Sequence, residues 1–525
     1  MKIGNEMNLE NLKEKFANVS KGEYITGVKF DGTHEVEIYK NSIQEKNGTT
    51  FFIGKEGLEK SLYILHGSGE KLPDKFNGEV IPISNDKNLK LKKCGFNHQN
   101  SLSLQELFPF AKPMPLGLTN SFGFGDRLGL ANAGHIRALK GYEFGPIFAQ
   151  QSIRELTRTQ RTAEDVLDAA VWAVFQEGFT SGFGADADHL KTKEDIDRLV
   201  AAGFPTFTFD PGEYVNNDAD ILSEADLKKK ALEIPWGKLN DNLPDLIARY
   251  ENKNFEIGKD FVIQPSLIDV LKAAVKYNGA VLHISSLYNH LASKLPKGKF
   301  EVEVSVDETD SVTTPFEHFY IASELMRLNV DFVSLAPRFI GDFEKGIDYK
   351  GDLNLFKNEY EKHARIAKHF GSYKISLHSG SDKFSAYKVI GSLNIGFTHV
   401  KTAGTSYLEA LKVVAIKEPE LFRGILDFAA SLYDVEKKSY HVSADMKRIK
   451  SGKDYKDEEL EGLFNSNDAR QALHVTYGRV LTEKDGSGKY LFRDKIYKCL
   501  IENEDLHYEI LIKHFRRHMD PFKLS

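Results

Sequence analysis

The chain has 525 residues, 28% of them charged, a formal net charge of −6 and only two cysteines, Cys94 and Cys499. That length can bury a large core, and the mild acidity gives no reason to expect a nucleic-acid or membrane partner. Isolated cysteines exclude a disulfide framework or thiolate cluster, and there is neither an apolar run of ~20 residues nor a targeting pattern, so a cytoplasmic protein with a small-molecule ligand is expected, a homo-oligomer being left open.

Residues 1–112 read as a β-rich module, with short strand-like runs at 24–30, 35–39 and 50–53 broken by Gly, Asn and Asp. Pro113 and Pro115 mark a boundary. From 113 to 405 the text alternates strand and helix. Strands are predicted at 116–122, 146–150, 179–184, 206–210, 300–307, 332–337, 374–377 and 395–401. Capping boxes at Thr162/Asp165 and Thr192/Asp195 open two of the helices, and Thr314-Pro315 with Glu317 opens a third. A mostly helical insertion, 214–299, follows the fourth strand and contains helices at 267–277 and 280–295. Residues 406–525 are helical and charged. Eight strands alternating with helices favour an α/β protein built on a (β/α)8 TIM-like barrel over a doubly wound sheet.

The fifth strand, FEVEVSVDETD, sets valines against an acidic row of Glu301, Glu303 and Asp307. In a closed parallel barrel the valines pack on helices, the acids face the interior, and Asp307 and Glu308 reach the catalytic rim. Other strand ends deliver Asp126, Asp186, His189, Arg338, His378 and Lys401. His189, His378 and Asp307 or Glu308 are the preferred ligands of a divalent cation such as Zn²⁺, Mn²⁺, Co²⁺ or Ni²⁺. Arg338 suits a carboxylate, and Asn120, Ser379 and Asp382 are further substrate-binding candidates. Lys401 could act as acid or base if burial lowers its pKa, and Asp186 and Asp126 are the other candidate proton carriers. Glu301 and Glu303 read as interior structural acids, and His474, in helical text, as plain scaffold. Residues 123–129, GFGDRLG, are spaced G-x-G-x-x-x-G and lack the acidic residue of a dinucleotide fingerprint, which argues against NAD.

Six stretches, PLGLTNSFGFGDRLGLA (115–131), SGFGADADHLKT (181–192), EVEVSVDETDSVTTPFEH (301–318), LAPRFIGDFEKGIDYKGD (335–352), ISLHSGSDKFS (375–385) and THVKTAGTSYLEAL (398–411), resemble the bacterial tagaturonate epimerases. The resemblance implies a metal-dependent epimerase of hexuronate catabolism that inverts C4 of tagaturonate to give fructuronate, with related members acting on fructose and tagatose. In such a substrate C4–H is β to both the C2 ketone and the C6 carboxylate, so simple enolisation cannot exchange it. Metal-assisted retro-aldol cleavage of C3–C4 suits the residues better than transient oxidation by a nicotinamide. A metal-dependent aldolase, a glycoside hydrolase and a non-catalytic sugar-acid binding protein are the alternative readings.

Overall fold

The computed structural model describes residues 24–30, 35–81, 83 and 88–523. Its centre is a closed barrel of eight parallel strands: β1 (Ser121–Phe124), β2 (Gly145–Ser152), β3 (Gly184–Leu190), β4 (Thr206–Phe209), β5 (Glu301–Val306), β6 (Ser334–Pro337), β7 (Lys374–Leu377) and β8 (Phe397–Thr402). Each strand pairs with its sequence neighbour, and β8 closes on β1 with Lys401 opposite Gly123. Outward residues such as Val302, Val304, Leu335, Ile375 and Val400 are buried against helices. Inward positions carry Thr206, Thr208, Glu301, Glu303 and Ser376, so the lumen is polar.

The helices after the first seven strands are α1 (Asn132–Leu139), α2 (Ala163–Gln176), α3 (Lys193–Ala202), α4 (Leu267–Lys294), α5 (Pro315–Arg327), α6 (Leu353–His369) and α7 (Phe384–Leu393). The capping boxes expected at Thr162, Thr192 and Thr314 are formed. Helix α4 runs unbroken where two helices were predicted, and it packs between α3 and α5 as a wall of the barrel. Gly279 in its middle is there for closeness: a Cβ would lie 2.7 Å from the carbonyl of Tyr214. The excursion after β4 is therefore shorter than the sequence suggested, and it includes a two-stranded hairpin, Phe255–Gly258 with Phe261–Ile263.

The other corrections concern strands that open a site. β3 begins at Gly184, where the predicted strand ended, so GADADHL is the strand itself. Its alanines, Ala185 and Ala187, face the helices, and its aspartates face a lumen that can neutralise them. β1 starts at Ser121, later than expected, which leaves Asn120 at the amino end of the barrel.

After β8 the chain enters α8 (Thr405–Lys417), whose apolar face belongs to a second core with Leu128, Phe422, Phe464 and Leu473. The outer face of β1 is covered instead by a distant helix, α10 (Glu504–Met519), whose Phe515 ring lies 5.1 Å from that of Phe124. Between them in sequence, α9 (Asn467–Val475) packs beside the loop that follows β6. The amino-terminal module is an antiparallel sheet in which Thr49–Glu56 and Glu59–Gly67 form the central hairpin. One sheet face joins the barrel core through Phe51, Phe108 and Phe175; the other packs Phe30, Phe52 and Tyr63 on one another. Both cysteines are buried thiols, and among the described residues no helix is long and apolar enough to cross a membrane.

Glu504 ties the sheet to α10. Its carboxylate accepts from Tyr39 at 3.0 Å and pairs with Lys60 at 2.7 Å and Lys55 at 3.3 Å. Burial alone would raise its pKa, but Lys60 and Lys55 overcome that and draw it down to about 2. A carboxylate depressed in the folded state stabilises fully above its unfolded value and loses that contribution as pH falls towards the folded one. Glu504→Gln should therefore cost roughly 2–3 kcal/mol at neutral pH, and the gap to the parent protein should close between about pH 4.5 and pH 2 in denaturant titrations. A constant gap across that range would rule out the ionic tie.

Candidate active site

The carboxyl ends of the strands surround one cation. Lys401 is 3% exposed; its ammonium lies 2.7 Å from Asp188, 2.7 Å from Glu303 and 2.8 Å from Asp186, and donates to Thr208 Oγ1 at 2.7 Å. Burial would strip the proton, but three carboxylates reverse the balance and hold Lys401 well above the usual lysine range. The expected acid/base lysine is thus a fixed cation. Asp186 lies beneath it and accepts from Thr208 at 2.8 Å; burial raises its carboxyl to about 6, against the pull of Lys401. It does not line the cavity, and meets it only by way of Lys401.

The other two carboxylates each hold a histidine. Asp188 accepts from His189 Nδ1 at 2.8 Å, and Glu303 accepts from His378 Nε2 at 2.6 Å. This leaves His189 Nε2 and His378 Nδ1 to face the opening. Strand alternation alone could not turn both Asp188 and His189 inwards; a register shift in β3 and a left-handed backbone at His189 (φ 55°) do so. Asp307 completes the group: its Oδ1 is 3.2 Å from His378 Nδ1 and accepts from Ser305 at 2.6 Å.

Ligand atoms of His189, Asp307 and His378 all lie within 4.8 Å of one another. Asp307 rather than Glu308 joins the histidines; Glu308 is 3.9 Å from His189 Nε2, with 52% of its side chain exposed. His378 Nδ1 is buried and faces Asp307. Burial lowers the His378 pKa, but Asp307 and Glu303 outweigh it and raise the ring to about 10. The place therefore demands positive charge. Two imidazoles and a carboxylate, with each imidazole's far nitrogen on a second carboxylate, fit a borderline divalent cation.

The triad opens into a cavity of about 560 Å³. Arg338 lines it as expected, but its guanidinium donates to the carbonyl of Thr309. Ser379 also lines it, taking a hydrogen bond from Lys345 at 2.6 Å. Three expected site residues lie elsewhere. Asp126 accepts from the backbone amides of Leu128, Gly129, Leu130 and Ala131, and so shapes the turn into α1. Asn120, at the opposite end of the barrel, accepts from the amide of Thr398. Asp382 is buried behind the cavity, 2.6 Å from Arg470 and 2.8 Å from His514. His514 also faces Glu409 at 3.1 Å, and His518 Nε2 accepts from the Asp382 amide, so Asp382, His514 and His518 bind α10 to the barrel.

Sequence reading missed three residues at the site, whereas Glu303, read as an interior acid one layer below Asp307, sits there and holds His378. Lys345 and Arg154 sit in loop and helix-start text with no distinguishing signal. His474, read as scaffold, lines the cavity from α9.

The model for tagaturonate epimerases matches residues 39–522. A tagaturonate/fructuronate epimerase of Thermotoga maritima is 43% identical over 489 residues, 92% of this chain and 96% of the relative. The glycerol-complexed crystal structure of the fructuronate-tagaturonate epimerase from Cohnella laeviribosi superposes with a TM-score of 0.86 at 39% identity, covering 93% of this chain and 96% of that one. The native crystal structure of the same enzyme gives 0.85 at 38%, covering 98% and 99%. With its closed barrel, its amino-terminal sheet and nearly its full length shared with these enzymes, the chain belongs to the tagaturonate epimerase family and is an isomerase.

Proposed function

We propose that the protein interconverts tagaturonate and fructuronate by breaking and remaking the C3–C4 bond at the carboxyl ends of the barrel strands. The observation that carries the mechanism is the triad of His189, Asp307 and His378, braced from behind by Asp188, Glu303 and Lys401. His189, Asp307 and His378 would hold a divalent cation, whose Lewis acidity would offset negative charge that develops on the substrate oxygens. Glu308, half exposed at the rim, takes the C4 hydroxyl proton as the bond electrons pass to C3 and the C2 carbonyl. C4 becomes an aldehyde, turns, accepts C3 on its other face and regains the proton from Glu308. Lys401 stays protonated throughout and fixes the carboxylates that orient the two histidines. The cavity walls keep both three-carbon fragments in place, which separates an epimerase from an aldolase that releases them. Fructose and tagatose present the same C2–C4 segment and are included as poorer substrates.

Exhaustive chelation should abolish turnover, and Zn²⁺, Mn²⁺, Co²⁺ or Ni²⁺ should restore it. Asp188→Asn and Glu303→Gln leave the three ligands in place yet should weaken metal binding by about 10- to 100-fold in competition with a chromophoric chelator. Unchanged affinity in both variants, or full activity of metal-free protein, would remove the triad from the mechanism. Substrate carrying deuterium at C4 should give product with the label still at C4. Its loss to solvent or to a nicotinamide would exclude carbon–carbon cleavage. Glu308→Gln should lower kcat by about 10²- to 10⁴-fold with little change in KM; a parent-like kcat would assign the proton to another group.

A further inference from the structure

One wall of the cavity is the loop between β6 and α6, and it is held far more firmly than a surface loop needs. The buried ammonium of Lys383 donates to the carbonyls of Glu344, Ile347 and Ser381 at 2.7, 2.5 and 2.9 Å. Arg470 of α9 donates to the carbonyl of Gly346 at 2.6 Å, and Gln471 to the Glu344 carboxylate at 2.7 Å. The residues on both sides of Lys345 are therefore fixed, while the Lys345 side chain points into the cavity. Among the described residues its ammonium has one hydrogen bond, to Ser379 Oγ, and no carboxylate in ion-pair contact.

Arg154, at the start of the short helix after β2, lines the same cavity. It meets the carbonyl of Ser439 at 3.5 Å and the ring of Tyr440 at 5.0 Å, and among the described residues no carboxylate is in ion-pair contact with it. Its neighbour Glu155 is taken by the buried Arg127 at 2.9 Å. His474 adds a buried ring nitrogen, Nδ1, with no hydrogen-bond partner; a Cβ at Gly346 would lie 3.4 Å from it. Burial and the nearby Arg154 depress the Lys345 pKa, against the opposing pull of Glu308 and Asp307. Two cations that face one cavity, neither in ion-pair contact with a carboxylate among the described residues, next to a donor-capable ring, suit an anion.

We propose that Lys345, with Arg154 and His474, forms the subsite that takes the C6 carboxylate of a hexuronate and so sets the preference for uronates over neutral ketoses. This rests on the uronate reading above. Ser379 connects the two halves: it follows His378 directly, and its hydroxyl receives the Lys345 hydrogen bond. An ammonium on a gripped loop acts at a set distance from the triad, so a carboxylate bound there orients C3–C4 towards His189 and His378. Arg338 is the competing candidate, but it is already engaged with Thr309.

The test compares Lys345→Met, Lys345→Arg and Arg338→Met with the parent protein, each checked for metal content and melting temperature. Lys345→Met should raise KM for tagaturonate about 10- to 100-fold, the effect of losing a charge-assisted hydrogen bond, with a smaller change in kcat. Lys345→Arg should recover most of the loss, and Arg338→Met should show less of it. Calorimetric binding of tagaturonate against tagatose gives a readout free of turnover: Lys345→Met should erase the parent's preference for the acid. Equal binding of tagaturonate by parent and Lys345→Met, a Lys345→Arg as weak as Lys345→Met, or a larger loss in Arg338→Met would each overturn the subsite. A parent protein that prefers the acid in binding but never epimerises it would overturn the proposed function and leave the subsite standing.

Discussion

An ammonium inside the barrel makes the rest of the site possible. Three carboxylates in a lumen shielded from water would protonate or repel one another apart; Lys401 lets Asp188 and Glu303 stay ionised. Each of those passes the effect outward to one imidazole, so the orientation of His189 and His378 is set two bonds of hydrogen-bonding away from the cavity. The charge sequence, cation, anion, imidazole, opening, occurs twice, once within β3 and once from β5 across to the end of β7. Removing the central charge would disturb both arms together, which is why the lysine is better regarded as part of the scaffold than as a reagent.

The same arrangement explains the composition of the strands. A barrel filled with valine and leucine needs no counter-ions, but it offers nothing to a polar substrate. Here Thr208 bridges Lys401 and Asp186, and Glu301 takes Thr206 and the amide of Gly117 lower down. These inward threonines and acids are satisfied by one another. The apolar contribution comes from outside, where the valines of β5 and the rings around Phe124 and Phe515 pack against helices.

Much of this was legible in the sequence, and the failures have physical causes. Alternation in FEVEVSVDETD correctly turned Glu303 and Asp307 to one face. It could not say that Glu303 would meet His378, because that depends on the stagger between β5 and β7, which only barrel closure sets. GADADHL did not look like a strand because acidic residues are poor strand formers in isolation; its partner, Lys401, lies more than two hundred positions away. Asn120 was misplaced by reading β1 a few residues early, which moved it from one end of the barrel to the other. Asp382 is part of the strand-end motif SLHSGSDK, yet Arg470 and His514 from the distant helices claim it. Local pattern carried the elements; long-range pairing decided which acids were free to act.

Helix α10 has a consequence for the order of assembly. It covers β1, holds Asp382 through His514, and clamps the amino-terminal sheet through Glu504, whose partner Tyr39 is 465 residues earlier. During synthesis the sheet and the first barrel strands leave the ribosome long before that helix exists. Until then the outer face of β1 lacks the Phe515 ring that packs on Phe122 and Phe124, and the amino-terminal sheet lacks its Glu504 tie. The contacts that join the two ends of the chain are therefore the last that synthesis allows to form.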